Sequence, residues 1–389
     1  MKKKLVSVLL ATAMVFSLVA CGGTQEESVA TDSVATTEES TEEATEEVAT
    51  SSEEQIVIQV FSGQPDRTTG QGMVEQMIFD NYMAENPNVV IEVEALDDEN
   101  YKTKFKAYAS GTNMPDLVNV WGQPGFLDEV IDAGLIAELN PDDYVDYNFV
   151  EGSLGGFSKD GKLYGLPRNT DVMGFFYNKA IFDECGVEIP TTYDEYLAAC
   201  KTIKENGYIP VAFDGADGWP MTIYVNDVYQ KLTGVESYDK SLNSVLTGDY
   251  SDPNWTKAME LTMDAVDAGA FQAGYETTDY GTSLNLFTNG QSAMYYMGSW
   301  EMSMATNENI SEEIRENIGA FAMPAVDGGA GAATDIRAWN GGGFSVTANS
   351  DVKEEAIKLL NYMMEPDNYF SRRVLPKTNR YYDKIVGSI

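Results

Sequence analysis

Between Ile56 and Trp121, short continuous apolar runs alternate with longer amphipathic ones, and this alternation restricts the fold more than any other feature of the chain. Ile56-Val57-Ile58-Gln59-Val60-Phe61 is nearly unbroken, as suits a strand covered on both faces of a parallel sheet. A Gly/Pro-bearing loop from Ser62 to Gly72 leads into a helix with Met73, Met77, Ile78 and Tyr82 on one side. Asn86–Pro87 ends it, and Val89 to Glu94 reads as a second strand. A helix over Tyr101 to Ser110 turns Phe105, Tyr108 and Ala109 inward and stops at Gly111. Pro115 to Trp121 is a third strand. This β-α-β-α-β order predicts a doubly wound α/β sheet. The first strand is followed by no glycine fingerprint, so no nucleotide is placed there.

A chain of 389 residues is too long for one small core, and two lobes are expected. Its formal charge is −37, from 25 basic and 62 acidic residues. Tracking a nucleic acid needs clustered Lys and Arg, so no such partner is expected. The sequence contains 0 His, which removes the usual general base and the usual zinc ligand. No catalytic group, cofactor or metal is expected.

Lys2, Lys3 and Lys4 precede an apolar run from Leu5 to Ala20 that is short for a membrane span; residues 1–20 read as a secretion signal. Leu18-Val19-Ala20-Cys21 looks like a bacterial lipobox, which implies a lipidated Cys21 as the new N-terminus. Thr24 to Glu54 has no aromatic and no basic residue, and cannot bury enough apolar surface to offset its ordering entropy. Residues 21–54 are therefore expected to form a disordered acidic tether. They lack the Gly and Asp spacing of a calcium loop.

Further on, a helix end at Leu286–Phe287 and a turn at Asn289–Gly290 precede an apolar strand, Ala293 to Met297. Gly298–Ser299 then delivers Trp300 at the strand's carboxyl end, where open α/β sheets collect ligands. A core Trp on a buried strand is the plainer alternative. Trp121 and Trp219 share that position just past a strand, and Asp214 lies in the loop leading to Trp219. Trp255, just before a helix, reads as structural. Trp339 lies in a loop with Gly341, Gly342 and Gly343, which permits close backbone approach to a ligand or forms a plain turn.

Asp160 to Pro167 (DGKLYGLP), a strand ending Phe176-Tyr177-Asn178-Lys179, and the helix entry from Ile181 to Tyr196 follow one another. With the lipobox and Gly298-Ser299-Trp300, they resemble family 1 extracellular solute-binding proteins of carbohydrate ABC importers. The resemblance implies a two-lobe periplasmic-binding-protein-like fold, each lobe a doubly wound sheet with helices on both faces. It implies lobes of 55–170 with 318–372 and of 171–317 with 373–389. Ile318 to Pro324 would be the return strand to the first lobe, and hinge crossovers would lie near 168–172, 316–319 and 370–375. It also implies a monomer, not an enzyme, that captures a mono- or oligosaccharide and delivers it to an ABC permease. A lipid anchor on the outer face of the cytoplasmic membrane, of Gram-positive type, goes with it.

A sugar's C–H face packs on an indole while carboxylates and amides bind its hydroxyls. Gln64 and Trp121 from the first lobe, Asp171, Asp214, Trp219 and Trp300 from the second lobe or the crossover, and Trp339 are the candidates. Asp171 matches an acidic position that contacts sugar in the maltose-binding branch; a hinge role suits it equally. Tyr177 and Asn178 are assigned to packing and turn structure. A receptor for a peptide, a polyamine or another non-sugar solute, and a glycoside hydrolase using two carboxylates, stay open. Members of the family usually continue further past the segment at Leu375–Pro376, so a shortened second lobe is expected. Cys185 and Cys200 are either a disulfide or two thiols, and spacing does not decide between them.

Overall fold

The computed structural model describes residues 54–149, 152–366 and Asn368. The chain divides into two units, Met1–Ser52 and Glu53–Ile389, and the description concerns the second. The signal segment, Cys21, the tether as far as Glu53 and the 373–389 segment lie outside the described residues.

The chain opens with β1 (Ile56–Ser62), α1 (Gly70–Glu85), β2 (Val89–Ala95), α2 (Asp98–Ala109), β3 (Leu117–Trp121) and α3 (Pro124–Asp132). A small hairpin, β4 (Ser158–Lys159) and β5 (Lys162–Leu163), precedes β6 (Leu166–Pro167) and the long β7 (Thr170–Asn178). Then come α4 (Lys179–Cys185), α5 (Tyr193–Glu205), β8 (Ile209–Ala212), α6 (Trp219–Thr233), α7 (Tyr238–Thr247) and α8 (Pro253–Ala268). Next are α9 (Tyr280–Thr288), β9 (Ser292–Gly298), α10 (Glu312–Asn317) and β10 (Ile318–Phe321). The last described elements are β11 (Ala338–Asn340), β12 (Gly342–Val346) and α11 (Lys353–Met364).

The first sheet has the order β2-β1-β3-β12-β6, with β1 parallel to its neighbours and β12 antiparallel to both of its own. The second runs β10-β7-β9-β8, and β11 pairs with the start of β7. Each sheet has its own core: Phe61, Phe79, Tyr101 and Phe344 pack on the first, and Phe175, Tyr196, Phe213 and Tyr296 on the second. The fold is the expected two-lobe α/β arrangement, although both sheets are mixed.

Local chemistry explains the element ends. Thr192 and Glu195 form a reciprocal capping box at the start of α5. Asn178 caps α4 by accepting from the amides of Ala180 and Ile181, as its assignment to turn structure anticipates. Trp255 is core: it stacks on Tyr229 at 3.9 Å and its indole N–H donates to Ser244 Oγ. Cys185 and Cys200 are free thiols.

Several expectations change. Met73 and Met77 are only half-buried on α1; the inward face is Gly72, Glu75, Ile78, Phe79 and Tyr82. Ile318–Phe321 is an antiparallel partner of β7 in the second sheet, so no crossover occurs near 316–319. The described crossings are Arg168–Asn169, between β6 and β7, and Gly341, between β11 and β12. The glycine loop is mostly strand. A Cβ at Gly341 would lie 1.9 Å from Asp171 Oδ2, one at Gly342 2.7 Å from the Arg168 guanidinium, and one at Gly343 2.3 Å from the Leu166 carbonyl. These glycines admit the protein's own groups, which is why no larger residue stands there.

The inward Glu75 is the centre of a buried polar cluster. It accepts from Ser62 Oγ at 2.7 Å, Arg67 Nη1 at 2.7 Å and Arg168 Nη1 at 2.6 Å. Through Arg168 it ties α1 to the crossing between the sheets. Removing one partner of such a set leaves a buried charge uncompensated. Glu75→Gln is expected to lower unfolding free energy by about 3–5 kcal/mol, read from urea denaturation; an unchanged midpoint would show that the cluster contributes nothing net.

Candidate functional site

Strand β9 is buried along its whole length and hands the chain to a short 3-10 turn, Ser299–Ala305, that carries Trp300. The Trp300 ring folds back over Gly298, where a Cβ would lie 2.1 Å from it. Its indole N–H donates to Tyr280 Oη at 3.0 Å, and Tyr280 in turn donates to Glu301 Oε1. Burial pushes the Glu301 carboxyl up to about 7.

Two further indoles meet Trp300. Trp219 lies 5.8 Å from it, centroid to centroid, at 57°, and Trp339 lies 6.3 Å from it at 71°. Trp219 is not in the loop where it was expected. It opens helix α6, next to Pro220, after the turn at Asp217–Gly218. Trp339 is brought in by β11, whose register sets it opposite Asp171 on β7. All three rings are half-buried against the second core.

Asp171 is buried at the start of β7 and accepts from Asn169 Nδ2 and, at 3.2 Å, from Ser299 Oγ. The Ser299 hydroxyl also accepts from the Val172 amide at 3.3 Å, joining β7 to the turn that bears Trp300. Asp171 thus has a structural role at the crossing, adjoining the Trp residues.

Asp214 follows β8 and is fully buried. Its Oδ1 accepts from the Asp217 amide at 3.2 Å, while Oδ2 finds no hydrogen-bond partner among the described residues. Burial, reinforced by the Asp217 carboxyl, pushes Asp214 up to about 7. The Trp219 indole N–H at the other end of the same loop is likewise buried and unpartnered. A donor and an acceptor at the two ends of this stretch are therefore withdrawn from water.

The first-lobe candidates sit apart. Trp121 ends β3 with its edges on Tyr101 and Phe126, and Lys102 Nζ stands 5.4 Å over its ring. No ring contact joins it to the three other indoles among the described residues. Gln64 donates its amide to Ser62 Oγ at 3.1 Å, and its side chain makes no hydrogen bond among the described residues. Near Trp121, Lys102 also bridges Asp98 and Glu99, and burial raises Asp98 with a small addition from Asp217 of the second lobe. The helix α2 start and the Asp214–Trp219 loop therefore feel each other's charge.

Tyr280, Ser299, Glu301 and Asn169 were not singled out from sequence. Only Ser299 had a signal, lying inside the Gly298–Trp300 stretch. No group of three His, Cys, Asp or Glu side chains among the described residues could hold a metal ion.

These carboxyls fix a pH dependence. Asp214 and Glu301 at about 7 and Asp227, raised by burial to about 6, keep protons in the folded state that the unfolded chain releases near pH 4. Their contribution is complete below about pH 4 and is lost progressively as pH rises from there through 6 and 7. With 0 His in the chain, no imidazole overlays this window. The unfolding temperature of the unliganded protein is expected to fall between about pH 5 and about pH 8, less steeply in Asp214→Asn. A flat or rising profile in calorimetry would mean that these carboxyls are not buried in solution.

A family model described as bacterial extracellular solute-binding protein matches residues 77–371. The chain is 25% identical to the multiple sugar-binding protein of Streptococcus mutans over 324 residues, 80% of this chain and 72% of that protein. A structure from work on xylan utilization by the thermophilic bacterium Caldanaerobius polysaccharolyticus superposes with a TM-score of 0.72 at 27% identity, covering 81% of this chain and 79% of that one. The solute-binding protein RafE in complex with raffinose superposes with a TM-score of 0.66 at 23% identity, covering 85% and 81%, which bears on the fold alone.

Proposed function

Because the chain belongs to the bacterial extracellular solute-binding protein family, we propose that it is the receptor of an ABC importer, taking a mono- or oligosaccharide between its lobes. The observation that carries the sugar reading is the corner of Trp219, Trp300 and Trp339, with the buried Trp219 Nε1 left without a protein partner. Indoles offer broad apolar faces to C–H groups, and a few fixed polar atoms then select orientation. The two interplanar angles, 57° and 71°, present faces in different directions, which suits a ligand with several C–H faces better than a flat one. The sugar-binding relative in Streptococcus mutans supports the same class.

Within this reading Trp219, Trp300, Trp339 and Asp214 form the second-lobe wall. Trp121 and Gln64 contribute from the first lobe when ligand draws the two together, since a ligand favours the state in which it touches both. Asp171, whose carboxylate accepts from Ser299 and whose strand pairs with that of Trp339, orders this wall from the crossing. The first lobe is 55–168 with the return after Gly341, the second is 169–341, and the crossings at 168–169 and 341 serve as hinges. The closed form docks on a permease. We extend the proposal to a monomer held by lipidated Cys21 and the 21–54 tether at the outer face of a Gram-positive cytoplasmic membrane. Capture rather than hydrolysis is the proposed activity.

The test is calorimetric unfolding of the mature chain against mono- and oligosaccharides, with a peptide, spermidine and Ca²⁺ as controls. Ligand at about 100 times its dissociation constant adds about 2.7 kcal/mol. A shift is expected for one sugar class and is expected to vanish in Trp300→Ala. A shift with spermidine or peptide and none with any sugar would overturn the carbohydrate reading.

A further inference from the structure

Helix α6 carries Trp219 in its first turn and Lys231 in its last, and Lys231 is 1% exposed. A buried ammonium ordinarily needs a carboxylate. This one donates instead to backbone carbonyls of a single segment: Ala332 at 2.6 Å, Ala333 at 3.4 Å, and Asp335. The same segment supplies amides to the carbonyls that the helix end leaves unpaired. Ala330 N donates to Leu232 O at 3.1 Å and Gly331 N to Lys231 O at 3.0 Å. The approach is close enough that a Cβ at Gly331 would lie 2.8 Å from the Gln230 carbonyl. Asp335 closes the turn by accepting from the Ala332 amide at 2.7 Å.

The segment then runs back along the helix. Arg337 donates to Ser241 Oγ at 2.8 Å and to Asn226 Oδ1 at 3.4 Å, midway along α6. Asp227, which faces Arg337 and Lys231 electrostatically, accepts from Tyr296 Oη of β9 at 2.7 Å. Two residues after Arg337 comes Trp339, whose ring meets Trp300, which in turn meets Trp219 at the start of α6. Helix and strap form a closed frame, with Lys231 fastening the end remote from the indoles.

We infer that Lys231 is a positioning residue for the proposed site: by clasping the 329–335 strap to the end of α6, it sets where Trp339 stands against Trp300. The inference rests on the reading of the three indoles as the ligand wall. Lys231 touches no ligand itself. It acts by pre-organising one indole, so that less ordering is left for binding to complete.

Lys231→Met keeps most of the side chain's bulk and removes the donors, whereas Lys231→Arg retains donors. Near-UV circular dichroism of the unliganded protein reads the Trp300–Trp339 pair, as the wild-type spectrum minus that of Trp339→Phe. Lys231→Met is expected to lose this difference at temperatures where it is still folded, and Lys231→Arg to recover part of it. Binding of raffinose and of xylotriose is measured by titration calorimetry in the same variants. For whichever sugar binds the wild type, Lys231→Met is expected to weaken affinity by about tenfold, with no additional loss when combined with Trp339→Ala.

If the Trp339-dependent spectrum survives in Lys231→Met, or the two affinity losses simply add, the inference is overturned and Lys231 only supports stability. Should Lys231→Met fail to fold, Gly331→Ala decides, because it lifts the strap without uncovering a charge; an unaltered spectrum there overturns the inference too. If neither sugar binds, or if Trp339→Ala leaves binding intact, the ligand-wall reading fails, and the spectral arm still decides whether Lys231 places Trp339.

Discussion

The backbone ladder of β7 is the constraint on which the rest of the structure depends. Reached from the first sheet through Arg168 and Asn169, it pairs with β11 at its start and with β9 and β10 along its length. Register then does the positioning: Trp339 falls opposite Asp171, and Met173 opposite Gly298. A one-residue slip would reverse every side chain on the strand, so strand pairing decides which residues reach the Trp corner and leaves the placing of each ring to the side chains around it. Asn169 and Ser299 then satisfy the carboxylate that the register buries, and Glu75 holds the Arg168 end. Burying Asp171 without those donors would cost more than the ladder could readily offset.

In a chain of formal charge −37, cations to pair with the carboxyls that the fold does bury are scarce. The molecule resolves this differently in its two lobes. In the first, Glu75 stays between two guanidinium groups. In the second, Glu301 has a tyrosine and Asp214 only a neighbouring backbone amide and carboxyl, so burial shifts both toward the protonated form. The site's wall therefore carries groups that titrate near neutrality although no histidine is present. Lys231 is the converse case, a cation satisfied by carbonyls because the loop closing on it brings those and no carboxylate side chain into contact.

Much of this was legible in sequence where one local rule sufficed. The β-α-β-α-β opening follows from apolar run length, and the caps at Asn178 and Thr192 follow from side-chain chemistry. Trp300 at a strand's end was readable from Gly298 and Ser299. What stayed hidden depends on residues far apart in the chain. Glu75 lies on a helix whose methionines looked like the inward face, and nothing local announces that Arg168 waits to pair with it. Ile318–Phe321 reads as a strand from sequence, yet its choice of sheet is decided by pairing with β7, which no run of residues encodes alone. The three glycines were open between ligand and turn because their neighbours, Asp171, Arg168 and the Leu166 carbonyl, arrive from another strand.

The loop from Asp214 to Trp219 holds an acceptor and a donor that are buried and unpartnered among the described residues. A buried polar atom left without a partner costs about 1–3 kcal/mol, so a ligand group that pairs with one recovers that cost. A hydroxyl both donates and accepts, and can therefore satisfy either atom. An apolar isostere satisfies neither, and a site that has already withdrawn its polar groups from water discriminates against it strongly for that reason. The protonation of Asp214 sharpens the choice. A carboxyl pushed up to about 7 by burial is only partly ionised at neutral pH, and in its neutral form it offers both a donor and an acceptor. The electrostatics that an acidic chain would lend to a polyamine are thus reduced at Asp214, in the stretch that leads to Trp219, which favours a neutral, hydroxyl-rich ligand.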